Sequence, residues 1–210
     1  MTKFLTRTGW TLTALLSLII ATFSYRYFAG VGMSPDILKN LNARPWLWVH
    51  VAGAATALML GPFQFLGGVR ARWPVLHRWT GRTYVVACLT GAVGGFVMAF
   101  GSTAGPVASV GFATLAVVWF WVNLQGWRMA VARRFPEHRA WMIRSFALTF
   151  AAVTLRIYVP LLPLTGLSPL DGYRLTAYIA WIPNLILVEL YLRGAFSGRR
   201  RRMTTRFAGE

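Results

Sequence analysis

The stretch PEHRAWMIRSFALTFAAVTLRIYVP, residues 136–160, decides the fold. Pro136 and Glu137 suit the first turn of a helix: the missing N–H costs nothing there, and the acid faces the positive dipole end. A long apolar run follows, with Arg144 near one end and Arg156 near the other. Along a helix the two arginines lie roughly 18 Å apart, whereas a hydrocarbon core is about 30 Å thick. At least one guanidinium therefore sits at membrane depth. A charge there costs at least about 2.5 kcal/mol and normally faces a partner or cavity inside a bundle.

Composition agrees with a membrane helix. Of 210 residues, 56% are hydrophobic and 13% charged, against about 25% charged in soluble domains. The net charge of +17 does not make this a nucleic-acid-binding domain, because the basic residues lie between apolar spans and not on one polar face. Cys88 is the one cysteine, so no disulfide framework exists.

Outward from the opening stretch, six apolar spans read out, at about 9–29, 46–68, 83–101, 108–127, 142–162 and 174–193. Each is near the length a bilayer requires. They predict an all-α membrane protein, with spans 2–5 as a four-helix core flanked by spans 1 and 6. Span 1 has no small-x-small site after it and carries the aromatic flank SYRYF, so it reads as a retained helix and not a cleaved leader. Residues 1–196 form the membrane domain. Residues 197–210 read as a basic, disordered tail drawn to anionic lipid.

The basic residues set the orientation. Seventeen of them precede span 1, fill the linkers between spans 2 and 3 and between spans 4 and 5, or follow span 6. The opposite side and its flanks hold five: Arg26, Lys39, Arg44, Arg156 and Arg174. That bias in short loops predicts cytoplasmic N- and C-termini. The second and fourth linkers also echo one another. PVLHRWTGR (74–82) and PEHRAWMIR (136–144) each run proline, His-Arg, Trp and then arginine at the mouth of a span. Such an echo is what parallel repeats of spans 2–3 and 4–5 would leave.

His77 and His138 would then meet at one end of the core. Two imidazoles from facing helices, with Arg82 and Arg144 beside them for propionates, are the parts a b-type haem requires. Gly91, Gly94 and Gly95 would leave room for the flat macrocycle, or alternatively let two helices pack closely. These two histidines are metal ligands only as haem-iron ligands, since acids and cysteine are too scarce for a closed zinc site. Ser/His/Asp catalysis has no support: the two Asp, Asp36 and Asp171, fall in outer loops.

A second group is His50, Gln64 and Arg156. His50 and Gln64 share one stripe of span 2, and Arg156 has few acids to pair with. An anion or carbonyl-bearing ligand, such as a quinone, would suit it; bonding to helix carbonyls freed by Pro160 is the structural alternative. Glu189 can pair with Arg82 or Arg144, which is the structural reading of those two.

At HVAGAATALMLGPFQF, LHRWTGRTY and HRAWMIRSFALTFAAVTLR the chain resembles a bacterial family of predicted integral membrane proteins, domain of unknown function 2306. The resemblance covers about residues 46–160. It implies that His50, Gln64, His77, Arg82, His138, Arg144 and Arg156 fall on the family's motif positions, and it implies a bacterial inner membrane; it carries no activity. Three readings stand: a single-haem b-type or quinone-linked electron-transfer protein, a binding or transport protein for an anionic or amphiphilic ligand, and a scaffold subunit without its own chemistry.

Overall fold

The computed structural model describes residues 2–32, 37 and 39–207, with side chains from residues 8–32, 37 and 39–194. Asp36 and the side chains of Lys3, Arg7 and the tail arginines from Arg199 onward lie outside the described residues.

The described residues fold into helices, with no strand among them. These are α1 (Thr2–Ser24), α2 (Ala43–Gln64), α3 (Gly67–Arg72), α4 (Pro74–Phe100), α5 (Pro106–Val131), α6 (Phe135–Thr149), α7 (Ala151–Leu161), α8 (Pro169–Ile179) and α9 (Ile182–Phe207). Short 3-10 turns extend α1 over Tyr25–Ala29 and α7 over Leu162–Thr165. Six segments are long and apolar enough to cross a membrane: Thr8–Ala29, Ala43–Gln64, Pro74–Phe100, Pro106–Val131, Phe135–Thr165 and Pro169–Gly194.

Proline sets where four helices begin. α4, α5, α6 and α8 each carry Pro in the first turn, where its fixed φ helps and its missing N–H is no loss. Three helices consequently overrun the apolar runs by several residues. Arg78 and Arg82 stand on α4, and Arg139 and Arg144 on α6, not in linkers. Arginine is a good helix former whose stem can lie on apolar surface with its head in water, so a charge does not end a helix. α9 likewise runs to Phe207, through most of the stretch read from sequence as a disordered tail.

The core lies among α2, α4, α5 and α6. Tyr84, Cys88, Trp119, Val122 and Leu148 are buried together, with Trp181 added from the sixth span. α1 packs outside it through Ala21 against Leu58 and Val153. Glycine allows the close crossing of α2 and α4. A Cβ on Gly94 would come 2.6 Å from the His50 nitrogen, and one on Gly95 would come 2.9 Å from the His50 ring.

At the centre of the core is a closed ring of hydrogen bonds. Counting protons fixes its direction, because each hydroxyl has one to give. Trp119 Nε1 donates to Thr149 Oγ1 (3.0 Å), and Ser145 Oγ donates to Asn123 Oδ1 (2.7 Å). Tyr84 therefore donates to Ser145 (2.8 Å), and Thr149 Oγ1 shares its one proton between the Tyr84 oxygen (3.0 Å) and the Ser145 carbonyl (2.9 Å). Asn123 Nδ2 returns a bond to the Trp119 carbonyl (2.8 Å). Every polar group in the ring is satisfied.

The fifth and sixth spans are each broken near their middle. Thr149 and Thr154 reach back to carbonyls in their own span, Ser145 at 2.9 Å and Ala151 at 3.2 Å; such back-bonds bend a helix. The break between α6 and α7 falls between them, at Phe150. Between α8 and α9 the cause is Pro183, which cannot donate to Ile179 and whose ring crowds that carbonyl. The two breaks are stitched together. Thr154 Oγ1 donates to the Ala180 carbonyl (2.5 Å), and Asn184 Nδ2 lies 3.1 Å from the same oxygen and 3.3 Å from Ala147 O.

Candidate functional site

Two clusters hold the residues singled out from sequence, one at each end of the bundle. The basic end carries α3, the start of α4, the end of α5 and the start of α6. His138 opens α6, and its Nδ1 lies 2.8 Å from the Gly126 carbonyl on α5. A carbonyl only accepts, so Nδ1 carries the proton and Nε2 keeps its lone pair. A Cβ on Gly126 would lie 2.7 Å from Met142 Sδ, so the glycine lets α5 and α6 pack closely here. His77, near the start of α4, is within electrostatic reach of His138 and Arg70. Its Nδ1 is buried with no hydrogen-bond partner among the described residues.

The arginines expected beside these histidines have contacts of their own. Arg144 makes a two-pronged pair with Glu189, Nε to Oε1 at 2.5 Å and a terminal nitrogen to Oε2 at 3.0 Å. Its guanidinium also lies 4.9 Å from the Trp141 ring. A groove of about 500 Å³ runs beside this pair, lined by Val122, Glu137, Ala140, Trp141 and Leu185. Arg82 is exposed, with its guanidinium 4.9 Å from the Trp79 ring. Gln64 belongs to this end too, donating to Thr80 Oγ1 at 2.8 Å. Gly91, Gly94 and Gly95 lie farther along α4, where Gly53, Ala54 and the backbone and ring of His50 fill the space beside them.

The opposite end gathers His50, Arg156 and the last residues of the first span. His50 Nδ1 donates to the Gly91 carbonyl at 2.8 Å, again leaving Nε2 with its lone pair. Arg156 on α7 donates to the Ala152 carbonyl and to Ser24 Oγ, both at 2.9 Å. It also lies within electrostatic reach of His50, Tyr27 and Arg26. Arg26 stacks its guanidinium 3.5 Å from the centre of the Phe23 ring. The Arg26 Nε is buried without a hydrogen-bond partner among the described residues. Among those residues no carboxylate pairs with either arginine.

This placement divides the sequence-derived sets. His77 and His138 come within electrostatic reach of one another, while Arg144 pairs with Glu189 and Arg82 lies over the Trp79 ring. His50 and Arg156 come together, and Gln64 sits at the other end of α2. Arg26 was counted from sequence only as an external basic residue, yet it joins Arg156. Its signal was the aromatic flank: the Phe23 and Tyr27 rings lie 3.5 and 5.4 Å from its guanidinium, while Tyr25 turns to Thr56.

Comparison with known proteins gives one match. Residues 47–192 fit the family described as predicted membrane protein, domain of unknown function 2306. The chain belongs to that family. No curated protein and no solved structure matches it. Within this family member the matched region runs from α2 into α9 and takes in Glu189, the partner of Arg144. Arg26 and Ser24 lie before it, so the second cluster combines residues of the matched region with residues of α1 and the turn after it.

Proposed function

We propose that this membrane protein binds an anionic or amphiphilic ligand at the end of the bundle that holds Arg156, Arg26 and His50. The observation that carries this reading is the pair of arginines within reach of one another with no carboxylate paired to either among the described residues. A charge inside a bilayer is normally matched by a partner, and two like charges side by side raise the need for one. A phosphate or carboxylate head would meet both guanidinium groups with strong charge-assisted bonds. Phe23, Tyr25 and Tyr27 offer rings at the same level for the start of an apolar tail or for a quinone ring. His50, with Nε2 left as an acceptor, would take a hydrogen bond from a hydroxyl or a protonated head.

Heat denaturation of the purified protein in detergent tests this, with phosphatidic acid, a long-chain fatty acid and a short-chain quinone as probes. At least one probe should raise the midpoint, and the rise should vanish in both Arg156→Gln and Arg26→Gln. Equal shifts in wild type and both variants would dismiss the reading.

A second reading, a single b-type haem or a quinone-linked redox centre at the basic end, is favoured by one observation. His138 is oriented by Gly126 with Nε2 open, and His77 beside it has an unpartnered buried nitrogen. Haem would supply one-electron chemistry, and these two imidazoles would hold its iron. A reduced-minus-oxidised spectrum of protein from haem-replete cells, lacking Soret and alpha bands, removes the haem version. For orientation, the proposed arrangement puts the basic end in the cytoplasm of a bacterium and the Arg156 cluster on the far side of its inner membrane.

A further inference from the structure

The corner between α3 and α4 holds a groove that neither reading uses. It has a volume of about 650 Å³ and is lined by Arg72, Trp73, Pro74, Val75, Leu76 and Trp79. Its walls are exposed: Trp73 is 58% and Trp79 62% accessible, with Val75 at 56% and Leu76 at 48%. Arg70 and Arg72 close α3, and Arg78 and Arg82 stand on the first turns of α4. Residues 67–82 contain no acid. None of the four arginines joins an ion pair among the described residues.

Depth and chemistry together select the occupant. The groove lies where the third membrane-crossing segment begins, at Pro74, which is headgroup level, where Trp and Arg gather. Its floor is apolar, and its cationic rim is Arg72, with Arg70, Arg78 and Arg82 on the two helices that form the corner. An acyl chain fits the first and a phosphate the second. Zwitterionic lipid would satisfy the floor equally well, but its choline or ethanolamine would face four positive charges.

We propose that this groove is a binding site for an anionic phospholipid, with the phosphate held by Arg72, Arg78 and Arg82 and an acyl chain laid along Val75, Leu76 and the Trp79 ring. Arg82, stacked on Trp79 at 4.9 Å, couples the two halves of the site. The site is separate from the Arg156 cluster and stands whether or not that cluster binds a ligand.

Tryptophan quenching in vesicles tests it. The full-length protein is reconstituted in phosphatidylcholine carrying a small fraction of bromine-labelled phosphatidylglycerol or, in parallel, the same fraction of bromine-labelled phosphatidylcholine. The anionic probe should quench more strongly, and added salt should shrink the excess. Trp79→Phe should cut that excess by about half, and Arg72→Gln/Arg78→Gln/Arg82→Gln should abolish it. Glutamine at Arg199, Arg200, Arg201 and Arg202 in the tail should leave it in place. Equal quenching by the two probes in wild type overturns the proposal. So does an excess left undiminished by Trp79→Phe, a variant that keeps an aromatic ring and every charge and so reads the site even if the triple variant fails to fold.

Discussion

Tyr84 shows what a single polar atom does inside this bundle. Its hydroxyl accepts from Thr149 and donates to Ser145, joining the two halves of a ring that runs from the Trp119 indole back to the Trp119 carbonyl. Tyr84→Phe should cost about 1 kcal/mol, because Thr149 can turn to the Ser145 carbonyl at 2.9 Å and Ser145 keeps Asn123. Asn123→Ala should cost more, about 2 kcal/mol, since it removes a donor and an acceptor and leaves a hole in a fully buried position. Heat denaturation in detergent, followed by tryptophan fluorescence, ranks the two; an Asn123→Ala protein as stable as wild type would mean the ring does not hold the core. No motif announces these residues. They are one or two polar letters in each of three apolar spans, and only the way α4, α5 and α6 face one another makes them a set. The arginine sites were more legible, because charge in an apolar span is conspicuous. The sequence leaves open which partner each arginine finds: Arg144 reaches the scarce acid Glu189, whereas Arg82 turns outward onto Trp79.

Among the elements, α2 and α4 pack most intimately, and glycine is the cause. A Cβ on Gly53 would come 2.5 Å from the Ala87 carbonyl and 2.6 Å from the Gly91 Cα, both backbone atoms that cannot swing away. Gly9 on α1 has nothing within 4 Å. Gly53→Ala should therefore destabilise by about 1–3 kcal/mol, while Gly9→Ala should be neutral or gain up to about 1 kcal/mol of helix propensity. Equal midpoints for the two variants would contradict the close crossing. The number and order of the spans were readable from hydropathy alone, and Pro136 marked the first turn of α6; α4 and α8 begin at Pro74 and Pro169, well before the apolar runs that announce them. The glycines of span 3 were ambiguous because a ligand slot and a helix crossing require the same absent side chain; the neighbour that fills the space comes from another span. The break at Phe150 was equally hidden. It has no Pro or Gly beside it and arises from threonine back-bonds, whereas the break in the sixth span has Pro183 as a visible cause.

At the scale of the whole molecule, charge is distributed along the membrane normal and not around a face. Arg70, Arg72, Arg78, Arg82, Arg128, Arg133 and Arg134 lie on connections or helix ends at one end of the bundle, and Arg174 bonds to the Ala104 carbonyl at the other. Such an asymmetry in short loops biases insertion toward one orientation, so the basic end should face the cytoplasm. The lone cysteine makes this easy to test. Cys88 is fully buried, and in a Cys88→Ser background a new cysteine would be the one reactive thiol. Leu164, 83% accessible in the turn after α7, and Ala132, exposed after α5, lie at opposite ends. In intact cells with a permeabilised outer membrane, an impermeant maleimide should label Leu164→Cys and spare Ala132→Cys until the inner membrane is opened. The reverse pattern would place the Arg156 cluster in the cytoplasm and the α3–α4 groove outside. The ligand of the first would then have to arrive from the cell interior, and the phospholipid of the second from the other leaflet.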